Sequence, residues 1–358
     1  MNTAGRRPES IAGRIRAEIE AFGPIGFDRF MELALYGPGG YYARPPIGPG
    51  GDFVTSPHVH PVFGRLLARG VRELFDHLGA PDPFRLLEIG GGDGTLARQL
   101  MEHLAGLPLS FTALEASAGA RELLRAIPGI DVADTLPDDP HVVLGHEVLD
   151  NLPFRLVRGP SEVRVGVRGD RFVRVEVPVE EGLAAALRPA IHEEERAVPT
   201  GALRLIDEVA HALRRGYALF VDYGGDADAG GGVHGYRDHR LVEDVLVEPG
   251  TTDITAGVDF GLLAAAASAG GLRAFPTVRQ LRALSILGFA DWMRDELAAQ
   301  GSLLNRGEGM EAVRRWAGRG SASILVDAGK LGRLRWFLMA SPDLPRPSFL
   351  APEEQDER

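Results

Sequence analysis

The 358-residue chain contains no cysteine. That excludes disulfides, thiolate metal sites and cysteine nucleophiles together. Lysine is almost as scarce: Lys330 is the only one, and arginine carries the rest of the positive charge, a bias that reflects GC-rich coding rather than chemistry. Long hydrophobic runs are missing too; residues 183–187 fall far short of the roughly 20 apolar residues that span a bilayer. Arg6 and Arg7 stand near the start without an apolar stretch behind them, so a secretory signal is not expected and a cytoplasmic location is. Basic residues number 39 against 50 acidic ones, a net charge of −11. This argues against nonspecific nucleic-acid binding and mildly favours a cationic partner. No His/Asp/Glu cluster has metal-ligand spacing, and neither a Walker A motif nor Gly-x-Ser-x-Gly occurs. With 44% hydrophobic and 25% charged residues, what remains is a soluble globular chain able to bury a full core in one enlarged domain or two.

What is present begins with Leu86-Leu87-Glu88-Ile89-Gly90-Gly91-Gly92-Asp93-Gly94-Thr95-Leu96. A buried parallel strand, a glycine turn and a helix N-terminus in this order bind nucleotide-like ligands in α/β proteins. The dinucleotide frame Gly-x-Gly-x-x-Gly fails from Gly90, because Thr95 occupies the third glycine position. The stretch reads instead as acid-x-Gly-x-Gly-x-Gly. A carboxylate beside the loop repels a pyrophosphate but suits an ammonium group. The second strand ends in Glu115, where an acid accepts both hydroxyls of an unphosphorylated ribose. Two acids without a phosphate-binding lysine point to S-adenosylmethionine, with S-adenosylhomocysteine as product. A bare glycine-rich strand–helix turn is the alternative.

Four regions separate along the chain. Residues 1–80 carry helical stripes (Ile11, Ile15, Ile19; Phe27, Phe30, Met31, Leu35), expected as an N-terminal helical layer that serves as lid, as packing surface or as the interface of a homodimer. Residues 81–278 alternate strands and helices and predict a doubly wound, mostly parallel Rossmann-like sheet. Two additions interrupt it: a β-hairpin over 155–178, turning at Arg168-Gly169-Asp170, and a polar loop over 225–258. Residues 279–340 predict helices and two final strands with Gly329 and Gly332 marking the last turn. The proline-rich acidic tail, 341–358, is expected to be flexible.

Several segments together resemble the MidA-type methyltransferases, whose mitochondrial members are complex I assembly factors. They are Gly23-Pro24-Ile25 with Phe30-Met31, Gly40-Tyr41-Tyr42, and Gly51-Asp52-Phe53-Val54-Thr55-Ser56-Pro57 with Phe63-Gly64. To these add the glycine loop from Glu88 to Leu96, Glu147-x-x-Asp150-x-Leu152-Pro153 and Asp222-Tyr223-Gly224. The last are Tyr236-Arg237-x-His239, Pro249-Gly250 and Asp253-Ile254-Thr255-Ala256-x-Val258-Asp259-Phe260. The resemblance implies a class I S-adenosylmethionine fold with helical additions and, from one mitochondrial branch, methylation of a protein arginine. Gly91 stands where the family shows proline, and Gln280-Leu281 where it shows Gln-Gly. His146-Glu147-Val148-Leu149-Asp150-Asn151 stands where it shows Asn-Glu-Phe-Phe-Asp-Ala, which alters the substrate-facing wall while keeping both acids.

Methyl transfer from a sulfonium is an in-line displacement, so alignment is the protein's main task. For a guanidinium acceptor, Glu147 and Asp150 form the expected carboxylate clamp; the plainer alternative has Asp150 capping a following helix and Glu147 facing solvent. For a hydroxyl or aromatic acceptor, His146 and His239 are the candidate bases. Tyr223 is a candidate wall residue beside Asp222. On the cofactor side the candidates are Glu88, Gly90, Gly92, Gly94, Thr95 and Glu115, with Asp134 for the adenine amino group. Thr55 and Ser56 fold over the cofactor or simply cap a helix. A partner protein subunit and a small molecule both remain open as acceptor, as does a non-catalytic assembly protein that keeps the fold.

Overall fold

The computed structural model describes residues 10–43, 54–179, 194–225, 232–237 and 240–351. Seven strands build its central sheet: β1 (Phe84–Ile89), β2 (Leu109–Leu114), β3 (Ile130–Ala133), β4 (Val142–His146), β5 (Tyr217–Asp222), β6 (Arg273–Ala274) and β7 (Arg335–Ala340). Their spatial order is β6-β7-β5-β4-β1-β2-β3, and Val278–Arg279 adds a short eighth strand against β7. Strands β1 to β5 pair in parallel; β7 runs antiparallel to its neighbours.

These residues form this sheet because both of its faces are covered and its central strands are mostly apolar. Alternation then sorts them. Phe84, Leu86, Val142, Leu144, Leu219, Trp336 and Leu338 face one core with the helices Val62–His77 and Thr95–His103. Leu87, Ile89, Val143, Phe220, Phe337 and Met339 face the other, beneath Thr200–Ala212 and Phe260–Ala269. The order of strands reverses between β1 and β4, and the crevice beyond the carboxyl ends there is where such sheets bind ligands.

A second core lies outside the sheet. The hairpin expected over 155–178 forms between Ser161–Arg168 and Arg171–Pro178, turning at Gly169 in the left-handed region (φ 63°). Arg155–Arg158 and Arg196–Val198 widen it to four antiparallel strands. The helices Ile11–Phe22 and Phe27–Met31 pack on this sheet through Ile15, Phe27 and Phe30 against Phe154, Leu156 and Val165. The N-terminal stripes therefore divide: the first two helices serve the small sheet, whereas Val62–His77 belongs to the main core.

Two expectations near the C-terminus are corrected. One final strand forms, not two, because Asp327 O accepts from both Lys330 N and Gly332 N at 3.0 Å and curls the chain into short 3-10 turns. The tail is packed as far as Ala351. Leu344, Phe349 and Leu350 are buried, and the Phe349 ring lies 5.8 Å from that of Trp336. Three apolar anchors outweigh the disorder signal of the surrounding prolines.

Candidate functional site

Strand β1 carries Glu88 next to Ile89, which lines the crevice while Glu88 lines neither of its two cavities, and the glycine loop follows. Gly90, Gly92 and Gly94 all have φ in the left-handed region (74°, 54° and 76°). A Cβ on Gly90 would come within 2.9 Å of Val148 Cγ2, so side chains are excluded where the loop meets the wall opposite. Glu88 is 3% exposed and its Oε2 has no hydrogen-bond partner. Burial, with Glu115 and Asp93 nearby, pushes its carboxyl up to about 8. Glu115, just past β2, accepts from Gly92 N (3.0 Å) and Ser117 N (2.8 Å), tying the second strand to the glycine loop. Burial raises its carboxyl as well.

Asp93 connects the loop to the N-terminal layer. It accepts from Thr95 N (3.0 Å) and pairs with His58 Nε2 (3.0 Å), while His58 Nδ1 meets Thr55 Oγ1 at 2.9 Å. These bonds overcome burial and hold the Asp93 carboxyl down at about 2. Thr55 thus stands at the N-cap of Ser56–Val59 without a side-chain capping bond. Ser56 is fully buried, its hydroxyl paired with the Gln280 side chain, and its backbone N–H bonds the Glu147 carboxylate.

The loop after β4 is organised by a residue of the neighbouring strand. Asp222 ends β5, fully buried, and accepts from Val148 N (3.0 Å), Leu149 N (2.7 Å), Asp150 N (3.4 Å) and Tyr223 N (2.8 Å). Burial raises its carboxyl to about 6 against those bonds. Glu147 is held at φ 51°, a left-handed conformation unusual for a side-chain-bearing residue. Its Oε1 is buried without a hydrogen-bond partner, and burial beside Asp222 pushes its carboxyl up to about 8. Asp150 is driven up by burial and by Asp222, Asp253 and Glu147 around it. No helix follows Asp150 before Thr200, so it caps none among the described residues.

Two cavities meet at this loop. A smaller one of about 340 Å³ is lined by Gly90, Gly92, Glu115 and, at its rim, Asp134, whose side chain is 78% exposed. A larger one of about 760 Å³ is lined by Thr55, Asp150, Tyr223, Asp253 and three arginines. Tyr42, Glu147 and Asn151 line both. The two tyrosines there stack at 5.3 Å; Tyr36 OH donates to Asn151 O (3.1 Å), Asn151 Nδ2 to Tyr42 OH (2.8 Å), and Tyr42 OH to Asp253 Oδ1 (2.7 Å).

The expected site residues distribute unevenly. Glu147, Asp150 and Tyr223 come together on the larger cavity, with the Arg333 guanidinium 5.1 Å above the Tyr223 ring. His146 lines neither cavity: it sits edge-on to Phe63, and burial lowers its imidazole to about 3, so it is a neutral packed ring and a poor base. His239 lies outside the described residues. Thr55 faces the larger cavity rather than the cofactor side. Asn151 belongs to the expected substrate-facing wall and lines both cavities, whereas Tyr36, Tyr42 and Asp253 are not among the expected site residues; Tyr42 and Asp253 lie in segments the family resemblance singled out, but nothing local marks Tyr36.

The residues around the smaller cavity fit S-adenosylmethionine. Glu115 on its lining matches a ribose diol, the Gly90 backbone leaves no room for a Cβ, and Glu88, just behind the lining residue Ile89, has an unpaired buried carboxylate oxygen of the charge an ammonium group needs. The family described as "Putative S-adenosyl-L-methionine-dependent methyltransferase" matches residues 66–278. A Drosophila melanogaster protein named protein arginine methyltransferase NDUFAF7 homolog, mitochondrial, is 30% identical over 314 residues, covering 71% of this chain and 69% of that one. A COG1565 superfamily member from Burkholderia thailandensis, solved bound to S-adenosyl-homocysteine, is 28% identical with a TM-score of 0.83, covering 95% of this chain and 94% of that one. A second structure from that organism, of an uncharacterized COG1565 superfamily protein, is 29% identical with a TM-score of 0.80, covering 95% and 93%. The chain belongs to this family of S-adenosyl-L-methionine-dependent methyltransferases.

Proposed function

We propose that the methyl acceptor is an arginine guanidinium of a partner polypeptide, held in the larger cavity by Glu147 and Asp150. The observation that carries this reading is Glu147: it stands on the wall shared by both cavities with a buried, unpartnered carboxylate oxygen. Asp150 and Asp253 line the acceptor side of that wall. Buried carboxyls driven up by one another are relieved by a cation, and a guanidinium meets carboxylates through paired N–H donors. The name of the Drosophila relative supports the same acceptor.

The cofactor supplies an electrophilic methyl group, and Glu88, Glu115, Asp134 and the glycine loop hold it in the smaller cavity. Glu147 orients one guanidinium nitrogen toward that cavity. As the nitrogen–carbon bond forms and the sulfur–carbon bond breaks to leave a neutral thioether, the nitrogen must shed a proton, and Glu147, kept ionised by the guanidinium it faces, takes it on its carboxylate. Ser56 N–H steadies the other side of that carboxylate, and Asp222 fixes the loop. Ser56 thereby serves the acceptor side.

The test is transfer of radiolabelled methyl from the cofactor to arginine-containing peptides, followed by acid hydrolysis. Label in methylarginine, with Glu147→Gln lowering kcat at least about 100-fold and S-adenosylhomocysteine affinity changed less than twofold, is expected. Label in lysine, or in small molecules of an extract but never in a polypeptide, refutes the reading.

A further inference from the structure

The larger cavity lined by Glu147, Asp150 and Asp253 is lined by three arginines as well. Arg279 and Arg335 are direct cross-strand partners where Val278–Arg279 pairs antiparallel with β7, so their side chains leave the same face side by side. Arg333, two residues before Arg335, stands over Tyr223, and all three line the cavity. None of the three has a carboxylate within ion-pair distance among the described residues, in a chain that carries 50 acidic side chains. Some arginines elsewhere are paired, as Arg158 is with Glu176 and Glu195 and Arg29 with Glu18 and Glu32, and others are not; these three are set apart by sharing one cavity. Like charges placed directly opposite in a ladder are destabilising. Three unneutralised guanidinium groups gathered in one cavity are the arrangement that receives an oxyanion through forked N–H donors.

We propose that Arg279, Arg333 and Arg335 form an anion subsite that selects polypeptides carrying an acidic side chain close in sequence to the target arginine. This deepens the acceptor reading and rests on it: the acids Glu147, Asp150 and Asp253 take the guanidinium, and the arginines take the neighbouring carboxylate. One cavity then reads a charge pair. A monoanionic carboxylate suits it better than a phosphate, because the acids of the same cavity and the net charge of −11 repel a dianion more strongly.

The experiment is calorimetric titration of the full chain, loaded with S-adenosylhomocysteine, with four synthetic nonapeptides. They carry arginine or citrulline at the centre and glutamate or glutamine nearby, and are titrated into wild type and into the double variant Arg279→Gln/Arg335→Gln. Glutamate placed at each of the four positions on either side locates the best spacing first. In wild type, replacing glutamate with glutamine is expected to weaken binding about tenfold, the low end of a charge-assisted contact; in the double variant it changes nothing. Unchanged melting and unchanged S-adenosylhomocysteine affinity verify that the variant is folded. Equal binding of glutamate and glutamine peptides overturns the subsite while leaving the arginine acceptor standing. A glutamate effect with no loss on citrulline overturns the acceptor reading while the arginine subsite survives. Free L-arginine binding as tightly as the best peptide, or no peptide binding at all, overturns the polypeptide selection.

Discussion

Glu88 offers the sharpest test of how this site stores energy for its ligand. Its carboxyl is buried with one oxygen unpaired and is held up to about 8 instead of its ordinary 4.5. The folded-state value is raised, so folding retains a proton that the unfolded chain releases. This contribution to stability is complete below 4.5 and is lost as the pH rises toward 8. Between pH 5 and pH 8, at 1.36 kcal/mol per pH unit, the loss amounts to roughly 4 kcal/mol as an upper figure. Glu88→Gln keeps the shape and removes the titration. The variant should therefore melt close to wild type at pH 5 and roughly 5–8 °C above it at pH 8. On the proposed assignment of Glu88 to the ligand's ammonium group, the same change should lower S-adenosylhomocysteine affinity about 10- to 100-fold, the value of a charge-assisted hydrogen bond. Thermal unfolding at both pH values and calorimetric titration read the two effects separately. A melting difference equal at pH 5 and pH 8, or unchanged affinity, would refute the reasoning.

Gly90→Ala places a Cβ 2.9 Å from Val148 Cγ2 at φ 74°, costing about 1–2 kcal/mol for the backbone alone; S-adenosylhomocysteine affinity should drop more than about tenfold while the fold persists by circular dichroism. Asp222→Ala deprives four backbone amides of their acceptor and should destabilise by about 3–5 kcal/mol in denaturant unfolding, with Asp222→Asn losing less. Phe349→Ala removes a ring with 0% exposure that touches Trp336 and should cost about 3–5 kcal/mol with cofactor affinity within about twofold, whereas a flexible tail would leave stability unchanged.

The central sheet was legible because parallel strands covered on both faces are predominantly apolar: Phe84–Ile89, Leu109–Leu114 and Tyr217–Asp222 each stand out from polar surroundings despite Arg85, Glu88 and Asp222 within them. The cofactor loop was legible because its chemistry is local, with glycine, acid and helix start adjacent in sequence. The acceptor side was not, because its contacts are long-range. Asp222 reaches amides 72 to 74 positions earlier, and Tyr42 reaches an acid 211 positions later. The pairing of Arg279 with Arg335 exists only through strand register, and Pro276, which has no amide hydrogen, stands between the short strands Arg273–Ala274 and Val278–Arg279 that set it. His146 misled for the opposite reason: a histidine beside two acids has the composition of a base, yet its ring is turned into Phe63 and desolvated.

Glu147 shows why the two halves of the site depend on each other. A side-chain-bearing residue at φ 51° costs on the order of 1–2 kcal/mol, and a desolvated carboxyl with an unpaired oxygen costs more. Left alone, the loop would relax and turn the acid to water. It cannot, because Glu147 N donates to Val221 O at 2.8 Å and the next three amides point at Asp222. The strain is therefore balanced by β5 before any ligand arrives, and Glu147 already lines both cavities, its buried Oε1 3.6 Å from His146 Nδ1. A cation entering there relieves the burial penalty without having to order the loop, so its binding free energy goes into alignment. This makes β5 the element that couples sheet stability to methyl transfer: loosening Asp222 should raise KM for the acceptor at concentrations of denaturant that leave the sheet intact, while cofactor affinity, governed by β1 and β2, stays level. Equal loss of both would mean that the loop after β4 is held by the cofactor cavity instead.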